Sequence, residues 1–126
     1  MYDGKLNKSK VDAIIAFYYE GSGYMLVDEH GKVLDVPGNV SESPDGKIIF
    51  CTNTDLVAGF STNGYCFLKK DTEGYLQKLC EVLPQDHGLN KATWISDKEV
   101  IAEKETIDEN MEPTYTFVKI ILKENK

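Results

Sequence analysis

Ser43-Pro44-Asp45-Gly46-Lys47-Ile48-Ile49-Phe50 is a turn that opens directly onto an apolar strand. Pro fixes φ, Asp bonds back to nearby backbone and Gly supplies a positive φ, so the chain reverses before Lys47–Thr52. The same grammar recurs on both sides. Upstream, Val11–Tyr19 is rich in β-branched and aromatic residues and is broken by Gly21-Ser22-Gly23. Tyr24–Asp28 and Lys32–Val36 flank the turn Glu29-His30-Gly31, and Pro37-Gly38-Asn39 ends that hairpin. Downstream, Tyr65–Lys70 and Tyr75–Leu83 are joined by Asp71-Thr72-Glu73-Gly74. A loop rich in Pro, Gly and Asn, from Pro84 to Asn90, leads to Ala92–Ile95, a Ser96-Asp97 turn and Glu99–Thr106. A polar loop through Pro113 precedes Tyr115–Leu122, and the charged tail Lys123–Lys126 is expected to fray.

This gives about nine or ten strands with turns roughly every 8–12 residues, the pattern of antiparallel all-β structure. No stretch keeps a 3.6-residue apolar period over three turns. Gly74–Leu83 is the best helix candidate, but its pairing across Asp-Thr-Glu-Gly favours a strand. A short helix around Ser9–Ala16 is the most that helix can claim.

The chain also repeats itself. The opening turn and strand parallel Ser96-Asp97-Lys98-Glu99-Val100-Ile101-Ala102, and Tyr65-Cys66-Phe67-Leu68 parallels Tyr115-Thr116-Phe117-Val118. Each unit runs strand, turn, strand, loop, strand, the grammar of a propeller blade. At these residues the sequence resembles the propeller-like repeat proteins of bacteria, including Tol-type and WD-type relatives, in which a Ser-Pro-Asp-Gly-Lys turn precedes an apolar strand. It is also similar to uncharacterised bacterial proteins carrying such a turn, a later Ala-Gly-Phe segment and a Trp-Ile-Ser-Asp turn. Here those are Ala58-Gly59-Phe60 and Trp94-Ile95-Ser96-Asp97. The resemblance covers Tyr24 to about Leu122, marks fold rather than chemistry, and carries over no catalytic residue. A blade takes about 40–45 residues and a closed ring at least four blades. The expectation is therefore one all-β domain over residues 1–126, mainly antiparallel, with blade-like three- or four-stranded units too short to close a propeller.

Composition narrows the partners. With 126 residues, 41% of them hydrophobic, the chain can bury a real core. Its net charge is -7 and its pI about 4.8, which argues against nucleic acid or an anionic membrane as partner. All fourteen basic residues are Lys, so the planar fork that reads phosphate and guanine edges is absent. The start Met1-Tyr2-Asp3-Gly4-Lys5 has no signal-peptide pattern, and the apolar run Ala13–Tyr19 is too short for a membrane span. The reading is a soluble cytoplasmic protein, with a removed signal as the alternative. Cys51, Cys66 and Cys80 are odd in number and lack metal spacing, so they read as buried free thiols, or as one disulfide plus a spare. They fall on three successive strands, and alternation decides which share a face.

Catalytic signals are thin. A Cys–His pair, Cys80 or Cys66 with His87, would be the enzyme reading, but no nucleophile signature surrounds them, and His30 and His87 both read as turn residues. Gly21-Ser22-Gly23 lacks the Lys-Ser/Thr and helix of a phosphate loop, and Asp108–Glu112 lacks the spacing of a calcium loop. No cofactor and no metal are expected.

Charge distribution is the strongest functional hint. Asp97, Glu99, Glu103, Glu105, Asp108, Glu109 and Glu112 are offset only by Lys98 and Lys104, so this stretch holds five of the seven net negative charges. Glu99, Glu103 and Glu105 fall on alternating positions and share one strand face. Tyr18, Tyr19, Tyr24, Tyr65, Tyr115 and Trp94 are candidate anchors, with Trp94 expected in the core. The expected function is a non-catalytic interaction module whose acidic face binds a basic protein, in its most concrete form an immunity-type inhibitor. The alternatives are a small Cys–His enzyme and a structural fragment of a propeller assembly. Unpaired strand edges also point to possible homo-oligomers.

Overall fold

Short β-branched and aromatic runs, cut by Gly- and Asp-bearing turns, leave each segment able to bury its apolar face only against a neighbouring sheet. The computed structural model describes residues 2–6, 11–18, 21–56 and 62–123, which hold eleven strands and no helix. They are β1 (Tyr2–Leu6), β2 (Val11–Tyr18), β3 (Gly21–Val27), β4 (Val33–Val36), β5 (Asn39–Glu42), β6 (Ile48–Asn53), β7 (Gly64–Lys70), β8 (Leu76–Val82), β9 (His87–Ser96), β10 (Glu99–Ile107) and β11 (Pro113–Ile121). All pairings are antiparallel and join strands consecutive in sequence. The result is three meanders in chain order: β1-β2-β3-β4, then β5-β6-β7-β8, then β9-β10-β11. None of them closes into a barrel or propeller.

The middle sheet serves two cores, because successive side chains of a strand point to opposite faces. Ile49, Cys51, Cys66 and Leu68 pack with Val11, Ala13, Leu26 and Val36 of the first sheet. Phe50 and Phe67, one position along, pack with Leu89, Val100 and Ala102 of the third. Trp94 is half-buried in this second core, edge-on to Phe67 at 6.3 Å, and its indole N–H donates to Ser41 Oγ at 3.2 Å. The Thr52 hydroxyl donates to the Leu89 carbonyl at 2.6 Å, tying the same two sheets together.

Three hairpin loops are built alike. Asp28, Asp71 and Asp108 each accept two following backbone N–H groups on Oδ1: those of His30 and Lys32, of Glu73 and Tyr75, and of Asn110 and Glu112. The fourth residue of each loop has a positive φ: Gly31 at 84°, Gly74 at 91° and Met111 at 62°. The first two loops also interlock. Asp28 Oδ2 accepts the Leu76 N–H at 3.0 Å, His30 stacks on Tyr75 at 4.2 Å, and Lys32 Nζ donates to the Leu76 carbonyl. Gly74 favours glycine through its φ of 91°, and a Cβ there would also displace the Glu29 carboxylate.

Several sequence expectations need correction. Val11–Ala16 is strand, not helix, and Gly21-Ser22-Gly23 lies inside β3 rather than in a turn. β9 begins at His87, so half of the supposed loop to Asn90 is ladder, held by Thr106↔His87 through Glu103↔Asn90. β1 and β5 are strands that the sequence pattern does not mark. Cys80 is exposed rather than buried, because β8 is the edge of its sheet and a bulge interrupts its pairing at Phe67/Leu68. Ala58-Gly59-Phe60 and residues 124–126 of the tail lie outside the described residues. No described helix is long and apolar enough to cross a membrane.

Candidate functional site

The third sheet has one covered and one open face. Val100 and Ala102 of β10 are buried, and Val118, Ile120 and Leu122 pack on the same core. The alternate positions therefore lie on the face opposite that core: Glu99, Ile101, Glu103, Glu105 and Ile107 on β10, and Tyr115, Phe117, Lys119 and Ile121 on β11. The register sets Glu103 opposite Phe117 and Glu105 opposite Tyr115. The Leu122 N–H bonds the Lys98 carbonyl at 2.8 Å, so the hydrogen-bonded pairs are the inward ones. The outward pairs are then the non-hydrogen-bonded kind, with Cα atoms about 4.5 Å apart and side chains closest. Phe117 is 75% exposed and Tyr115 53%, values that set them apart from the aromatics of the two cores.

The seven carboxylates do not form one patch. Asp97 sits in the β9–β10 turn and accepts the Asp45 N–H at 3.0 Å, turned towards the middle sheet and away from the rest. Glu99 pairs with Lys119 at 2.7 Å and accepts from Ser96 Oγ at 3.1 Å. The Lys119 ammonium, then the Ser96 hydroxyl, hold its carboxyl below the usual range. Glu103 and Glu105 both face the Asn90 amide, which donates to Glu105 at 3.1 Å and more weakly to Glu103 at 3.5 Å. Among the described residues these two are held by an amide and not by a cation. Asp108 is committed to its own turn, while Glu109 and Glu112 are exposed beside it. The concentrated site is thus Glu103, Glu105, Tyr115 and Phe117. Beside it runs a groove of about 550 Å³ between Glu103, Glu105 and Tyr115 on one side and Asn39 and Asn53 of the middle sheet on the other, with Lys91 also in its lining.

Of the other candidate anchors, Tyr24 and Tyr65 pack on the two cores, and the side chains of Tyr18 and Tyr19 lie outside the description. Asn90 and Lys119 carried no sequence signal as site residues. Asn90 falls in a stretch whose sequence reads as loop, and Lys119 reaches Glu99 diagonally across the β10–β11 ladder from its place opposite Ile101.

Among the described residues neither Cys66 nor Cys80 has a hydrogen bond to His87. The His87 ring is held by Asp86 at 2.7 Å and by the Tyr65 hydroxyl at 3.2 Å. With Nδ1–H donated to the carboxylate, Nε2 accepts the phenol proton. Burial, then the Cys80 and Asp86 charges, push the Tyr65 hydroxyl above its ordinary range and keep it protonated. Cys66 faces the first sheet, opposite Cys51, whereas Tyr65 faces the third. No group of three or more possible metal-ligating residues occurs among the described residues.

Comparison with known protein families, with characterised proteins and with solved structures finds no match.

Proposed function

We propose that this chain is a non-catalytic protein-binding module that receives a basic protein on the open face of its third sheet. The observation that carries the reading is the direct pairing of Glu103 with Phe117 and Glu105 with Tyr115. It sets exposed aromatic surface against carboxylates that have no described cation partner. Aromatic side chains supply buried area at the centre of an interface, and flanking charge speeds encounter and fixes orientation. An immunity-type inhibitor of a basic toxin is the most concrete form. The three successive meanders and their repeated loops support kinship with propeller-like repeat proteins.

The experiment compares wild type with Glu103→Gln/Glu105→Gln and with Phe117→Ser as baits in a native lysate, then purifies the captured protein. A basic partner should associate about tenfold more slowly with the charge variant at low salt, with the difference shrinking near 150 mM salt. The aromatic variant should instead speed dissociation. A partner that is acidic, or that binds all three forms alike, overturns the reading. The immunity form adds one demand: the partner's own activity must stop when bound.

A further inference from the structure

Among the described residues the third sheet is one strand shorter than its neighbours. In the middle sheet β7 is flanked by β6 and β8; in the third, β11 occupies the place of β7 and has only β10 beside it among the described residues. The parallel between Tyr65–Leu68 and Tyr115–Val118 makes the two strands equivalent. Because the inward residues of β11 bond to β10, the N–H and C=O groups of Tyr115, Phe117 and Lys119 point to the open edge.

Proteins usually defend such edges with bulges, charges or brevity. β8, the edge of the middle sheet, has a bulge in its pairing and carries Lys78 and Glu81, joined at 2.8 Å. β4 and β5 are four residues each. β11 has no bulge and is not short, and its defences reduce to Pro113 at its first position and Lys119, which is paired with Glu99. It runs nine residues with an unbroken register and carries a single charge, Lys119.

We propose that this edge pairs antiparallel with β11 of a second copy of the chain, on a two-fold axis at Phe117. That register makes Phe117 meet Phe117 and Tyr115 meet Lys119, an aromatic pair flanked by ring–ammonium contacts. The outward backbone groups of both strands fall in phase. Pro113, which has no N–H to offer, lands at the end of the ladder opposite Ile121. The acidic β10 strands lie three strand spacings apart, about 14 Å at 4.7–4.9 Å each. That exceeds the roughly 8 Å screening length at physiological salt, so the net charge of -7 does not forbid the pairing. The joined sheets place two copies of the acidic–aromatic face side by side, which suits a partner that is itself two-fold or repetitive.

The test uses Phe117→Lys and Phe117→Glu, exposed-site changes that leave the β10 ladder intact, with circular dichroism checking the fold. By sedimentation the wild type should show twice the chain mass. Each variant alone should dissociate at least about 30-fold more readily, the change expected from a central interface residue. Mixing the two variants should restore the dimer, because opposite charges then face one another on the axis. A wild type that stays monomeric at high concentration overturns the proposal. So do variants that dimerise alone as well as the wild type, and a mixture that stays monomeric.

Discussion

Asp28→Asn should be one of the most damaging single-atom changes available to this protein. Asp28 is 4% exposed, and its carboxylate accepts three backbone N–H groups: His30 and Lys32 on Oδ1, both at 2.9 Å, and Leu76 on Oδ2 at 3.0 Å. The first two shape its own hairpin loop; the third clamps the first sheet to the middle one. In the amide, Oδ1 can keep the loop contacts, but an NH₂ group then faces the Leu76 N–H, donor against donor. A hydrogen bond to a charged group contributes about 1.5–3 kcal/mol, and a stranded buried donor costs a similar amount. A loss of about 2–4 kcal/mol at pH 7 follows, which lowers Tm by roughly 6–15 °C for a domain of this size. Asp71→Asn is the control, because Asp71 has the same local loop bonds and its Oδ2 meets only the exposed Gln77 amide of the same sheet, with no clamp to another sheet. It should cost no more than about 1 kcal/mol. The acid response supplies a second reading. Burial alone would raise the Asp28 pKa, but the N–H groups of Leu76, Lys32 and His30 outweigh it and hold the carboxyl below its ordinary range. A depressed carboxyl stabilises the fold above its unfolded pKa, near 3.9, and that contribution disappears as pH falls through the folded value. Urea unfolding at pH 7 and at pH 3 should therefore show the gap between wild type and Asp28→Asn narrowing in acid. Equal stability at pH 7, or a gap unchanged in acid, would mean that the clamp contributes nothing.

Two further perturbations probe the cores. Trp94→Ala removes a half-buried indole from its contact with Phe67 and strands the Ser41 hydroxyl, and should cost about 3 kcal/mol by thermal melting; an unchanged Tm refutes its role as a bridge between sheets. In native protein near neutral pH one thiol of the three, Cys80, should alkylate readily, the other two only on unfolding. The Cys66 thiol facing it and then burial push Cys51 well above its ordinary range, so equally rapid labelling of Cys51 or Cys66 by mass spectrometry would contradict the packing.

The hairpins were legible because turn chemistry is local. Asp-Thr-Glu-Gly and Ser-Pro-Asp-Gly carry their own reversal, and Gly74 and Gly46 take the positive φ that such turns demand. The even spacing of Cys51, Cys66 and Cys80 likewise placed them on consecutive strands. β5 escaped notice because Asn39-Val40-Ser41-Glu42 holds one apolar residue and owes its strand state to β6 alongside. His87–Asn90 was hidden the same way: polar residues and a glycine become ladder only because β10 lies opposite. At the candidate site, alternation gave the shared face of Glu99, Glu103 and Glu105. It gave no hint that Asp97 turns to an amide 52 positions away, or that Lys119 neutralises Glu99. Those outcomes depend on register and on how sheets stack, which no local pattern encodes.

The two-sided middle sheet has a consequence for how the molecule tolerates change. Each flanking sheet keeps its apolar face dry through the middle sheet, chiefly β6 and β7, so the three sheets behave as a short linear array with nearest-neighbour coupling. Damage at Ile49 or Phe50 spreads outward in both directions. Damage to a flanking sheet stops at the middle one, whose opposite face still has its partner. Sequence drift is thus constrained most in the centre and least at the ends of the array. One of those ends carries the acidic–aromatic face, where substitutions carry the least risk to the fold.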